Sequence, residues 1–89
     1  MEYVMKTPLE KERQILINTF DKFADDYWKT LAEISRASAV NLEDVITIVF
    51  TSADFVRSPY KLKDGQPVYT TRKVYRKRTP FILQLLTAF

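Results

Sequence analysis

One glycine occurs in the 89 residues. It is Gly65, and it follows Asp64 between two runs that favour extended backbone, Phe55-Val56-Arg57-Ser58 and Val68-Tyr69-Thr70-Thr71. An Asp-Gly pair supplies both left-handed conformations of a two-residue hairpin turn, so the pattern predicts a β-hairpin over about 55–76. The turn would set Tyr60 opposite Tyr69, Arg57 opposite Arg72 and Phe55 opposite Val74. Pro59 and Pro67 lack the N–H of a central ladder, which makes these edge strands or strands interrupted near the tip. A facing Arg57–Arg72 pair repels unless an anion sits close by. A phosphate would serve, and so would Asp54 or Glu33 of the same chain.

The chain before this hairpin reads as helix. Thr7-Pro8-Leu9-Glu10 combines a capping residue, a proline suited to the first helical position and a glutamate that completes a capping box. Leu16, Phe20, Phe23 and Tyr27 then recur at spacings of four, three and four, which predicts a first helix over about 8–25 with one apolar face. Thr30 with Glu33 repeats the box and opens a second helix over about 31–37. Asn41 caps a third, about 42–53, with Asp44 in its first turn. On this third helix Leu42, Val45, Ile46, Val49, Phe50 and Ala53 form the expected inner face, leaving Asp44, Thr47, Ile48 and Thr51 outside. Thr79-Pro80 opens a last helix, about 80–88, that is apolar on nearly every side. Such a helix must be covered, so Phe81, Ile82, Leu85, Leu86 and Phe89 are expected to form a homodimer interface, burial within one monomer being the alternative. The expected fold class is α+β, mostly α, in one domain spanning 1–89.

Composition closes off most chemistry. Without Cys or His there is no disulfide, thiol catalysis or zinc knuckle, and the commonest general base and metal ligand is missing. Asp25 and Asp26 are neighbours in sequence and read as a polar helix end, not as an acid–base pair. No catalytic residue, cofactor or metal is therefore expected. The longest apolar run contains Gln84 and Thr87 and falls short of a membrane span. An acid at Glu2 is unlike a signal peptide, so a cytoplasmic chain with no membrane partner is expected.

The formal net charge of +3 conceals a segregation. Residues 1–56 are net acidic. Residues 57–78 hold Arg57, Lys61, Lys63, Arg72, Lys73, Arg76, Lys77 and Arg78 against Asp64 alone. A basic block of this kind points to an anionic partner, nucleic acid first, or to the chain's own acidic half.

Trp28-Lys29-Thr30-Leu31-Ala32-Glu33-Ile34-Ser35, then Val40-Asn41-Leu42-Glu43-Asp44-Val45, then Phe55-Val56 and the Asp64-Gly65 turn follow one another over about 28–76. This order resembles the winged helix-turn-helix superfamily: three helices, a β-hairpin wing and a C-terminal helix. The resemblance implies double-stranded DNA as the partner, with the third helix in the major groove, the wing on the backbone or minor groove, and a role in transcription regulation. The residues expected to bind are Arg57, Lys61, Lys63, Arg72, Lys73, Arg76, Lys77 and Arg78, with Thr47 and Thr51 on the helix. The third helix departs from that pattern in having no Lys or Arg. Its Glu43 and Asp44 would face phosphates, and an outward Ile48 suits a protein partner. The alternative is thus a protein-interaction module or adaptor that docks a protein on the acidic helix face and does not bind DNA. A third reading is an RNA or single-strand binder using Tyr60, Tyr69 and Tyr75 as stacking platforms.

Overall fold

A computed structural model of the chain describes residues 9–23 and 26–78. Thr7 and Pro8, Asp25, and the terminal segment with Phe81, Ile82, Leu85, Leu86 and Phe89 lie outside the described residues. The order is α1 (Glu10–Asp21), α2 (Leu31–Ser38), α3 (Leu42–Thr51), β1 (Phe55–Lys63), β2 (Gln66–Thr71) and α4 (Arg72–Arg78). It is a mostly helical α+β domain with one two-stranded antiparallel sheet.

Local rules set the helix starts. At α2 the Thr30 hydroxyl accepts from the Glu33 N–H at 3.2 Å, and the Glu33 carboxylate accepts from the Thr30 N–H at 2.9 Å. Both halves of the capping box are thereby made. At α3 the Asn41 side chain accepts from the Asp44 N–H at 3.0 Å. The first helix is shorter than its periodicity suggests: Leu9 sits at its start without a side-chain cap, and Glu10 pairs with Arg13. Leu16 and Phe20 of α1 are fully buried, and Phe20 meets the rings of Phe23 and Phe55 edge-on at 5.1 and 6.1 Å. Ile34, Val45 and Val74 complete this core from α2, α3 and α4.

The inner face of α3 is the expected one only at Val45 and Val49. Val45, Ile48 and Val49 are buried, Ile48 to 3% exposure, whereas Phe50 is 64% and Leu42 44% exposed. At 100° per residue, the helix is turned by roughly 80° from the expected phase. Six of its ten residues are apolar, so its periodicity admits more than one inner face and packing selects among them. Ile48 is therefore core, and the exposed apolar residue on this helix is Phe50.

The hairpin follows the expected register only at its tip. Lys63 faces Gln66 and Leu62 faces Pro67 across Asp64 and Gly65, whose φ angles of 51° and 76° are both left-handed. Below the tip β1 bulges. Arg57 faces Tyr69, Val56 faces Thr70 and Phe55 faces Thr71, so four residues, Ser58 to Lys61, lie opposite Val68 alone. The cause is local. Pro59 has no N–H to give to a ladder, and the buried Ser58 hydroxyl accepts from the N–H groups of Tyr60 and Lys61 at 3.3 and 3.0 Å. The expected pairs Arg57–Arg72, Tyr60–Tyr69 and Phe55–Val74 do not form, and the wing ends at Thr71 instead of 76. There the Thr71 hydroxyl accepts from the Val74 N–H at 3.1 Å and the chain enters α4.

The connection between α1 and α2 joins the hairpin. Lys29 and Tyr69 exchange both backbone hydrogen bonds, at 2.9 and 2.8 Å, as an isolated antiparallel bridge on the free edge of β2. No helix among the described residues is long and apolar enough to cross a membrane.

Candidate nucleic-acid interface

The bulge determines what the hairpin displays. Arg57, Pro59, Tyr60, Lys61 and Leu62 are all exposed, Tyr60 to 77% and Leu62 to 61%. Arg57 and Lys61 have no ion pair or side-chain hydrogen bond among the described residues. They are the cations on the wing that the fold leaves to solvent.

Other members of the basic block turn back onto the chain. Lys63 donates to Asp26 at 2.7 Å and to Glu33 at 3.2 Å, which fastens the hairpin tip to the start of α2. Lys29 reaches Asp26 at 3.5 Å and lies over the Phe23 ring. The Lys63 hydrogen bond holds the Asp26 carboxyl below the usual carboxylate range, against a smaller opposing effect of burial. Glu33 is also lowered, first by the Thr30 N–H and then by Lys63. Burial acts to lower Lys63, but its bonds to the two carboxylates outweigh this and raise it.

On α4 the helical order sets Val74 and Tyr75 toward the protein. Val74 is buried, and the Tyr75 ring meets Trp28 edge-on at 6.0 Å. Arg72, Lys73, Arg76 and Lys77 follow on the opposite, exposed side. Arg72 donates to the Ala53 carbonyl and Lys73 to Asp21 at 3.0 Å. Arg78 donates to the Phe23 carbonyl at 2.8 Å and lies over the Tyr27 ring. The Lys77 side chain makes no ion pair or hydrogen bond among the described residues.

The outer face of α3 carries Leu42, Glu43, Thr47, Phe50 and Thr51. The Thr47 and Thr51 hydroxyls donate to the carbonyls of Glu43 and Thr47, at 3.1 and 2.6 Å, which leaves their methyl groups and oxygen lone pairs outward. Phe50 reaches Tyr69 at 6.1 Å between ring centroids. Tyr69 stands opposite Arg57 in the sheet, so this contact brings the outer face of α3 to the root of the wing. The three tyrosines separate: Tyr69 is core, Tyr75 packs on Trp28, and Tyr60 alone stands in solvent. The missed features were α4, the bulge and Phe50. Thr71 as a cap and Ser58-Pro59 as a ladder breaker were visible signals for the first two.

No family model, curated protein or solved structure matches the chain.

Proposed function

We propose that the chain is a winged-helix domain, cytoplasmic and non-enzymatic, that binds double-stranded DNA and serves in transcription regulation. The observation that carries the reading is the pair Arg57 and Lys61, left without an acidic partner among the described residues on a wing that joins the outer face of α3. The element order supports it: a helix, a single bridge to the hairpin, two helices with a short turn between them, then the hairpin. Phosphate contacts would come from Arg57, Lys61 and the exposed side of α4 with Arg72, Lys73, Arg76 and Lys77. Thr47 and Thr51 offer methyl groups and acceptors to base edges. A homodimer through Phe81, Ile82, Leu85, Leu86 and Phe89 belongs to the same proposal, on their sequence pattern.

The test is fluorescence anisotropy with random-sequence duplex across a salt series. Binding should weaken steeply with salt. The double variant Arg57→Ala/Lys61→Ala should flatten the slope of log K against log salt by about 1.8, or about 0.9 for each lost phosphate contact. Absence of binding at low salt would overturn the proposal.

A second reading rests on Phe50. An exposed phenylalanine beside Leu42 and Glu43 suits a protein partner, and it takes the place that Ile48 cannot fill from the core. Under this adaptor reading Phe50→Asp abolishes partner capture and leaves duplex affinity equal.

A further inference from the structure

The bulge in β1 is more than an interruption. Four residues lie opposite one, and the excess chain is pinned rather than slack. Ser58 is buried, its hydroxyl holds the amides of both Tyr60 and Lys61, and Pro59 fixes the backbone between. The result is a tyrosine presented at 77% exposure whose ring touches no other ring among the described residues. Arg57 and Lys61 flank it, and β1 contains no acid from Phe55 to Lys63. Leu62, also exposed, lies on the tip side.

An exposed aromatic ring on a pinned backbone, with a solvent cation on either side of it along the strand, has a specific chemical complement. A planar, electron-poor ring attached to phosphates satisfies the tyrosine by stacking and the cations by charge. An apolar protein segment would cover Tyr60 and Leu62 but desolvate Arg57 and Lys61 without compensation. In duplex DNA the faces of the bases are already stacked on one another, so Tyr60 needs a base that is out of the helix. Because the backbone of the bulge is already ordered, little freedom is lost on contact.

Building on the duplex-binding reading above, we infer that the Ser58–Lys61 bulge is a stacking site for an unpaired nucleobase, through Tyr60, at the point where duplex gives way to single strand. Arg57 and Lys61 hold the phosphates on either side of that base. The domain then favours a duplex with a single-stranded extension over the same duplex with blunt ends.

Anisotropy titrations of the full chain with a short blunt duplex, and with that duplex carrying a single-stranded thymidine tail, test the inference at one fixed salt concentration. Binding to the tailed duplex should be about tenfold tighter, within the range of one base–aromatic stack. Tyr60→Ala should erase that preference while blunt-duplex affinity is retained, and Tyr60→Phe should keep it. Tyr60 is exposed, so neither substitution disturbs the core. Equal affinity for the two duplexes overturns the inference, as does a preference that survives Tyr60→Ala. Either result leaves the duplex-binding proposal standing if the blunt duplex is bound. If neither DNA is bound both fall, and the bulge with Phe50 passes to the adaptor reading.

Discussion

The phase of α3 decides which side chains meet a partner, and two alanine substitutions measure it. Ile48→Ala removes three carbons from a side chain that is almost fully enclosed. At about 0.8 kcal/mol per buried methylene the transfer loss is about 2.4 kcal/mol. The cavity left behind raises the total to about 3–4 kcal/mol, inside the usual span for Ile→Ala in a core. Phe50→Ala removes a larger side chain, but roughly two-thirds of the residue is already in water. Its transfer loss is about 1 kcal/mol, and the better helix propensity of alanine returns about 0.5 kcal/mol. The net cost is below about 1 kcal/mol. Urea unfolding followed by far-UV circular dichroism reads the difference. With a slope near 1 kcal/mol/M, suited to a domain of this size, the midpoint falls by about 3–4 M for Ile48→Ala and by less than about 1 M for Phe50→Ala. A larger loss in Phe50→Ala, or equal losses, would put Phe50 inside and refute the packing. It would also return Ile48 to the surface, and the adaptor variant would have to move with it.

Three further outcomes are expected. The carboxyls of Asp26 and Glu33 are lower in the folded protein than in the unfolded chain, so their contribution is present above the ordinary carboxylate range and lost as pH falls through their folded values. Lys63→Met should therefore shallow the decline of the urea midpoint between about pH 5 and pH 2. Thr70→Val should raise stability by about 1 kcal/mol in thermal or urea melts, because the buried Thr70 hydroxyl has no hydrogen-bond partner among the described residues and valine has nearly its shape. Gly65→Ala should cost about 1–2 kcal/mol, although a methyl group there meets open space, because φ of 76° is left-handed, and Gly65→Asn should recover most of it.

Legibility followed the range of the interaction. Thr30 with Glu33 and Asn41 with Asp44 act over three residues, and both caps form as their spacing dictates. Asp64-Gly65 likewise set the turn, because two left-handed residues in succession leave the chain few other courses. The register beyond the tip was a different matter. It depends on whether β1 stays in the ladder, and Ser58-Pro59 takes it out by withholding one N–H and capturing two more. At Thr71 two local signals competed. Val74 and Tyr75 suit a strand, but the Thr71 cap and the Arg72 N–H bond to Asp54 start a helix, which buries Val74 against the core. The α3 phase was legible only at Val45 and Val49, since an apolar surplus around the helix lets tertiary packing choose between Ile48 and Phe50.

The basic block raises the same issue for function. Its charge was legible as a total but not as a distribution of partners, because Lys63 meets Asp26 and Lys73 meets Asp21 only after the chain has folded back on itself. Each such pair draws a cation of 57–78 onto the acidic half, and at exposed sites a pair of this kind adds little stability. What it does is hold geometry. Lys63 ties the hairpin tip to the α2 start, so the wing is aimed before any partner arrives, and the bulge between that tie and the hairpin root presents Arg57, Tyr60 and Lys61 from a fixed backbone. A phosphate competing for Lys63 would have to displace two carboxylates, whereas one approaching Arg57 or Lys61 displaces only water. The chain's positive charge therefore divides into Lys63, which positions the wing, and cations that remain for an anionic partner, of which Arg57 and Lys61 lie on either side of Tyr60 along β1.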